Sequence, residues 1–192
     1  MATPIGHTLI GLAAGIGYFV PTSGSPATVS RAIWHHRWQL IGIAALACAP
    51  DVDFLLGLPF GDFNRFHQSY THTAGWIFLL LTGIWLAWQS AHPGDKLKRF
   101  IFLAAVGFSH LGIDLMTVDL GEPWGIPALW PVYEERIYTP MLAIFRDVDR
   151  NHLNIFSWHN IRSLSLELAY TLPFPLLLFA WKCRHKAKNL MA

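Results

Sequence analysis

Ionisable side chains lie inside the apolar runs of this chain, and that combination restricts its fold more than any other feature. His110 and Asp114 stand four residues apart within the run 100–118, on one face of a helix. A run of that length can cross a bilayer, where an ionisable group without a partner is costly. The pair therefore needs a metal, a polar partner or a polar cavity. Three other runs carry groups that can supply it. Pro50-Asp51-Val52-Asp53 lies toward the end of the run 40–58, Thr71-His72-Thr73 opens the run 74–91, and His7 opens the run 5–20.

Hydrophobic residues make up 53% of the chain and charged residues 14%, with a mean hydropathy of +0.36. That is too little charge for an ordinary soluble surface. The expected architecture is an all-α, polytopic transmembrane helix bundle of about five spans, at 5–20, 40–58, 74–91, 100–118 and 164–181. A length of 192 residues suits one membrane-embedded domain, 1–192, rather than an anchor joined to a large soluble domain. Cys48 and Cys183 form no close pair and say little about redox compartment. No basic stretch of the signal-peptide kind precedes the first run, so that run is expected to be retained.

The connections differ in charge. Segment 21–38 has Arg31 and Arg37 and no acid, 92–99 has Lys96, Lys98 and Arg99 against Asp95, and the tail after Trp181 carries Lys182, Arg184, Lys186 and Lys188. By contrast, Asp62 balances Arg65 in 58–73, and the long loop 119–163 holds six acids against four arginines. The positive-inside bias then puts the N-terminus and the long loop on the non-cytoplasmic side and the tail in the cytoplasm. This topology has a consequence for chemistry. His7, Asp51, Asp53, His72, His110 and Asp114 all fall toward the outer side, whereas a span separates its two ends by roughly 30 Å.

Imidazole nitrogens and carboxylate oxygens suit a divalent ion, zinc first, with manganese or iron as alternatives. Six such groups exceed what one zinc takes from protein, so one or two ions are expected. Two ions can lower the pKa of bound water and stabilise both the attacked group and its leaving oxygen. Pro50 allows the local irregularity that lets Asp51 and Asp53 face inward together. His72 sits at a helix start that a flanking threonine can cap. Beside this set, His67 is a candidate ligand or proton-transfer group and Arg65 a candidate holder of a substrate anion.

Each assignment has a simpler alternative. His110 and Asp114 could be a buried hydrogen-bonded support, Asp51 and Asp53 could end a helix, and His7 could be structural. Arg65 and His67 could be solvated loop residues. Glu134, Glu135, His152 and His159 show no distinctive mutual spacing. Glu167 lies near the outer end of the last run, where pairing within the bundle would explain it. Trp34, Trp38, Trp76, Trp124 and Trp130 read as interfacial anchors, and Gly6, Gly11, Gly15 and Gly17 as close helix packing. The chain has no phosphate-cradling glycine loop, serine-nucleophile elbow or zinc-finger spacing. Its four-charge tail is a topology determinant, not a nucleic-acid reader.

Thr3-Pro4-Ile5-Gly6-His7-Thr8, Ala49-Pro50-Asp51-Val52-Asp53, His67 followed by Thr71-His72-Thr73, and Ser109-His110-Leu111-Gly112-Ile113-Asp114 occur in consistent order over most of 1–118. In these segments the chain resembles the YdjM-like, or LexA-regulated, bacterial inner-membrane metal-dependent hydrolases. That family is itself similar to zinc-dependent phospholipase C in its arrangement of histidines and aspartates. The resemblance implies a multi-pass bacterial inner-membrane protein, and the charge bias turns its site toward the periplasm or outside. It also implies a phosphoester or phospholipid-like substrate. The leading expectation is hydrolysis of an amphiphilic ester by metal-activated water, with a membrane lipid or similar amphiphile as the binding partner. A small divalent-metal or proton transporter is the main alternative, although transporters commonly place their site at midmembrane. A noncatalytic membrane metal-binding protein is the third.

Overall fold

The computed structural model describes residues 2–61, 65–91, 95–119, 124–149 and 156–184. Helices occupy all five apolar runs. Thr3 starts the first, α1 (Pro4–Phe19), its hydroxyl accepting from the Ile5 amide at 3.2 Å while Pro4 takes a first-turn position that needs no amide donor. A short α2 (Pro26–His35) leads into α3 (Arg37–Ala47). Pro50 cannot continue an α-helix, because it lacks the amide hydrogen. The chain passes through a 3₁₀ turn, Ala49–Val52, into the short α4 (Asp53–Gly57), and the direction changes by 72° across this break.

Thr73 caps the next helix, α5 (Ala74–Ala91), accepting from the Trp76 amide at 3.1 Å. Asp95 does the same for α6 (Lys96–Leu115) through the Lys98 amide at 3.0 Å. Beyond α6 the chain makes one two-residue parallel pairing, β1 (Thr117–Val118) with β2 (Phe145–Arg146). It ends in α7 (Trp158–Thr171) and α8 (Pro173–Arg184), separated only by Leu172.

The expectation of about five full spans is met only in part. The fold is mostly helical, but among the described residues only Trp158–Arg184 is long and apolar enough by itself to cross a bilayer. The bent pair Arg37–Ala47 and Ala49–Phe60 makes a second if taken as one broken span. The others fall short for visible reasons. The 16 residues of α1 reach only about 24 Å, and α6 begins with Lys96, Lys98 and Arg99 and carries His110 and Asp114.

Small residues set the packing of α1 on α3. A Cβ on Gly11 would stand 2.8 Å from the Ala47 Cβ, and one on Gly15 would stand 2.8 Å from Leu40 Cδ2. The two helices therefore run antiparallel in close contact. Gly17 faces open space, so the close-packing explanation does not extend to it. Ile43, Leu46, Ile77, Leu81, Leu103 and Val106 form the main apolar core between α3, α5 and α6. The exposed Trp34 and Trp38 flank Arg37, whose guanidinium lies over both rings, an arrangement suited to a membrane interface.

Both ends of α1 are held by charges from the last helices. The buried Glu167 carboxylate accepts from the Thr3 amide at 2.8 Å, the Thr3 hydroxyl at 2.9 Å and the Gly6 amide at 2.8 Å. A Cβ on Gly6 would run into this carboxylate. At the far end, Lys182 Nζ donates to the Gly17 carbonyl at 3.1 Å and to the Val20 carbonyl. An anion at the N-terminus and a cation at the C-terminus both complement the helix dipole, and they fix α1 parallel to α7 and α8. Glu167 thus pairs within the bundle, as its place near the outer end of the last run allows. Glu167→Ala leaves the Thr3 amide without its acceptor and opens a cavity beside Gly6, and is expected to cost about 3 kcal/mol. Thermal unfolding in detergent should fall by on the order of 10 °C; an unchanged midpoint would show that water replaces the carboxylate at no cost.

Candidate metal centre

The four segments meet at one end of the bundle. His7 comes from the first turns of α1, Asp51 from the 3₁₀ turn after α3, His72 from a 3₁₀ turn ahead of α5, and His110 and Asp114 from the last turns of α6. All five are buried, His72 and His110 completely. The His110 ring is fixed by Nδ1, which lies 2.7 Å from the Ala47 carbonyl. A carbonyl only accepts, so Nδ1 carries the proton and Nε2 of the neutral ring presents its lone pair to the centre.

His110 Nε2 stands 3.2 Å from His72 Nε2, 3.2 Å from Asp114 Oδ2 and 3.6 Å from Asp51 Oδ1. His72 Nε2 is 3.6 Å from the same two carboxylate oxygens. On the other side of Asp114, Oδ1 lies 3.4 Å from His7 Nε2, and the His7 ring stacks on that of His110 with centroids 3.8 Å apart.

Asp53 and His67 form an adjoining layer. Asp53 Oδ2 is 3.1 Å from His72 Nδ1 and accepts from the Thr71 hydroxyl at 2.7 Å, while Oδ1 is 2.8 Å from His67 Nδ1. The His67 ring stacks on Phe54 at 3.7 Å.

The buried centre holds more hydrogen-bonding capacity than its protein partners use. Both oxygens of Asp51, both of Asp114 and both ring nitrogens of His7 lack hydrogen-bond partners among the described residues, although Asp114 and His110 approach within 3.2 Å. Leaving such atoms unsatisfied in the interior is expensive. A divalent cation would satisfy several at once, and nitrogen with carboxylate oxygen is a suitable donor set for zinc, manganese or iron. Among the described residues, three overlapping groups have ligand atoms within 4.8 Å of one another: His7, His110 and Asp114; Asp51, His72 and His110; and Asp53, His67 and His72. His72 lies outside the helical spans. Burial would lower its pKa, but contacts with Asp51 and Asp53 and the charge of Asp114 outweigh burial and push it up to about 9. A cation at Nε2 must displace this proton, so metal uptake weakens as pH falls.

His7, Asp51, Asp53, His67, His72, His110 and Asp114, the candidate ligands and proton-transfer group of the sequence, all lie in these two layers. Arg65 is not gathered with them; it is exposed, with its guanidinium over Phe60 at 4.5 Å. Glu134 and Glu135 are also exposed, His159 Nε2 donates to the Asp147 carbonyl at 2.9 Å, and His152 lies outside the described residues.

Three contributors were not apparent from the sequence. The Ala47 carbonyl orients His110, and no side-chain pattern signals a backbone acceptor. The Thr71 hydroxyl holds Asp53, a role hidden behind its possible use as a cap. Arg136 reaches across to the site-bearing segment and donates to the Gln68 carbonyl at 3.0 Å and the Trp124 carbonyl at 3.2 Å. It thereby ties part of the long loop to 65–72. Gln68 has a φ of 58°, a left-handed conformation uncommon without glycine.

A family model described as YdjM inner membrane protein matches residues 1–187. Comparisons with curated proteins and with solved structures give no match. The family match covers all four motif segments, and the chain belongs to the YdjM inner membrane protein family.

Proposed function

We propose that this membrane protein is a metal-dependent hydrolase acting on an amphiphilic ester, most suitably a phosphoester with a lipid-like tail, from the periplasmic side. The observation that carries this reading is the buried centre formed by His7, Asp51, His72, His110 and Asp114, whose unsatisfied carboxylates converge with two imidazole nitrogens. In this reading these residues hold one or two divalent ions, zinc first. Such an ion supplies Lewis acidity, lowering the pKa of water and polarising the ester oxygen. His67, held through Nδ1 by Asp53, is the proton-transfer group. Arg65, exposed two residues earlier, is the cation available to an anionic head group.

An apolar groove supports an amphiphilic substrate. Its lining includes Ala74, two residues after His72 in the chain, with Gly75, Phe78, Phe108, Trp130 and Pro131, and its volume is about 580 Å³. Helix directions are compatible with five passes, and the basic residues of 96–99 and 182–188 support an outside N-terminus. α1 runs antiparallel to α3 and parallel to α7 and α8, as the first, second and fifth passes of such a chain must. The site-bearing ends of the helices then share one side.

The direct test uses a panel of phospholipids and lipid phosphates in mixed micelles, with zinc or manganese and then with chelator. Metal-dependent head-group release is expected. Topology is tested separately by labelling single cysteines from each face of the membrane. Positions in 95–99 should label from the cytoplasm and positions in 132–144 from outside; the reverse pattern would overturn the periplasmic assignment.

A further inference from the structure

The Pro-Asp-Val-Asp segment offers two carboxylates, but the structure uses them differently. Asp51, whose two oxygens lack hydrogen-bond partners among the described residues, turns Oδ1 toward Nε2 of both His72 and His110. Both Asp53 oxygens are already engaged, Oδ1 by His67 Nδ1 and Oδ2 by His72 Nδ1 and the Thr71 hydroxyl. The two histidines present the same ring nitrogen to one carboxylate. An ionised carboxylate only accepts, so each Nδ1 is a donor, and when either ring is neutral its lone pair lies on Nε2. For His72, that is the nitrogen that faces His110, Asp51 and Asp114.

We propose that Asp53 is a positioning residue that sets the tautomers of His72 and His67 together, presenting His72 Nε2 to the metal and His67 Nε2 for proton transfer, and that it is not itself a metal ligand. The inference rests on the metal reading above and assigns Asp53 a place within it. Thr71 fixes Oδ2, while the stack on Phe54 fixes the plane of the second imidazole. The competing arrangement is a separate ion held by Asp53, His67 and His72, whose ligand atoms are also close enough. If His72 served both ions it would have to ligate through both nitrogens, which requires loss of its last ring proton. It would also set a second cation against the donor that Thr71 directs at Asp53. The hydrogen bonds favour the positioning role.

The full chain in detergent, with zinc alone as the probe, separates the two arrangements through stoichiometry and affinity measured by chelator competition. Asp53→Asn should bind the wild-type number of ions about 10- to 100-fold more weakly, the usual effect of losing a partner behind a metal-bound histidine. His67→Gln should retain both number and affinity. Loss of one ion equivalent in both variants would overturn the proposal in favour of the separate ion, and unchanged affinity in folded Asp53→Asn would overturn it as well. Nitrogen-15 spectra of histidine-labelled wild type give a readout that needs no variant to fold. Protonated Nδ1 on His67 and His72 is expected, and a bare Nδ1 on either ring would overturn the assignment. A wild type that takes up no zinc would instead defeat the metal reading on which this proposal depends.

Discussion

Replacing His110 with alanine is expected to strip the purified protein of its divalent ion while leaving the helices in place. This side chain belongs to two of the three groups among the described residues that could hold a metal. Its Nδ1 is spent on the Ala47 carbonyl, so its value to the centre lies in Nε2, 3.2 Å from both His72 and Asp114. Losing a direct ligand should cost more than the roughly 100-fold that marks the upper range for a supporting group. Asp114→Asn provides a nearly isosteric companion, because it removes charge and one acceptor while filling the same space. Elemental analysis after dialysis, with circular dichroism as the folding control, checks both. Wild-type metal content in the two folded variants would exclude His110 and Asp114 as ligands.

The centre was more legible in the sequence than the fold around it. The spacing of His110 and Asp114 is a helical property, and α6 carries both to the same place. Pro50 marked the irregular backbone that lets Asp51 and Asp53 both turn into the protein, and the 3₁₀ turn after α3 does so. Thr73 marked the helix start after His72 and caps it. Spacing could not reveal how the two aspartates divide their work. That division depends on which edge of His72 each one meets, and the edge is set by tertiary contacts with Thr71, His67 and His110.

The span lengths were harder to read for a different reason. Hydropathy sums transfer preferences along a run and is blind to a change of direction within it, so 40–58 looked continuous although its axis turns by 72° after α3. The role of Gly6 was similarly hidden. It belongs to a run of small residues in α1, but its lack of a side chain admits Glu167, 161 residues away, whereas Gly11 and Gly15 admit α3. Periodicity identifies a small-residue face without identifying what lies against it.

Asp51→Asn should reduce metal-dependent head-group release by roughly 1,000-fold. A metal's charge stabilisation is worth several kcal/mol in such transition states, and each 1.36 kcal/mol is a factor of ten in rate. The asparagine keeps nearly the same shape beside His72 and His110 but removes the negative charge that balances the cation. Asp51 stands with two buried oxygens lacking hydrogen-bond partners among the described residues, so little besides the centre should depend on its charge. Arg65→Ala supplies the contrast. Its exposed guanidinium should orient the anionic head group rather than build the centre, so this variant should raise KM and leave bound metal unchanged. Equal losses of turnover and metal in both variants would place Arg65 in the core of the site, against its exposure. If folded Asp51→Asn keeps full metal-dependent activity, the Asp51 carboxylate is not part of the catalytic centre. If the panel shows no hydrolysis but sealed vesicles show metal flux that requires His110, the centre must open to both faces and the transporter reading replaces the enzyme, since a pocket open only to the periplasm cannot carry an ion across.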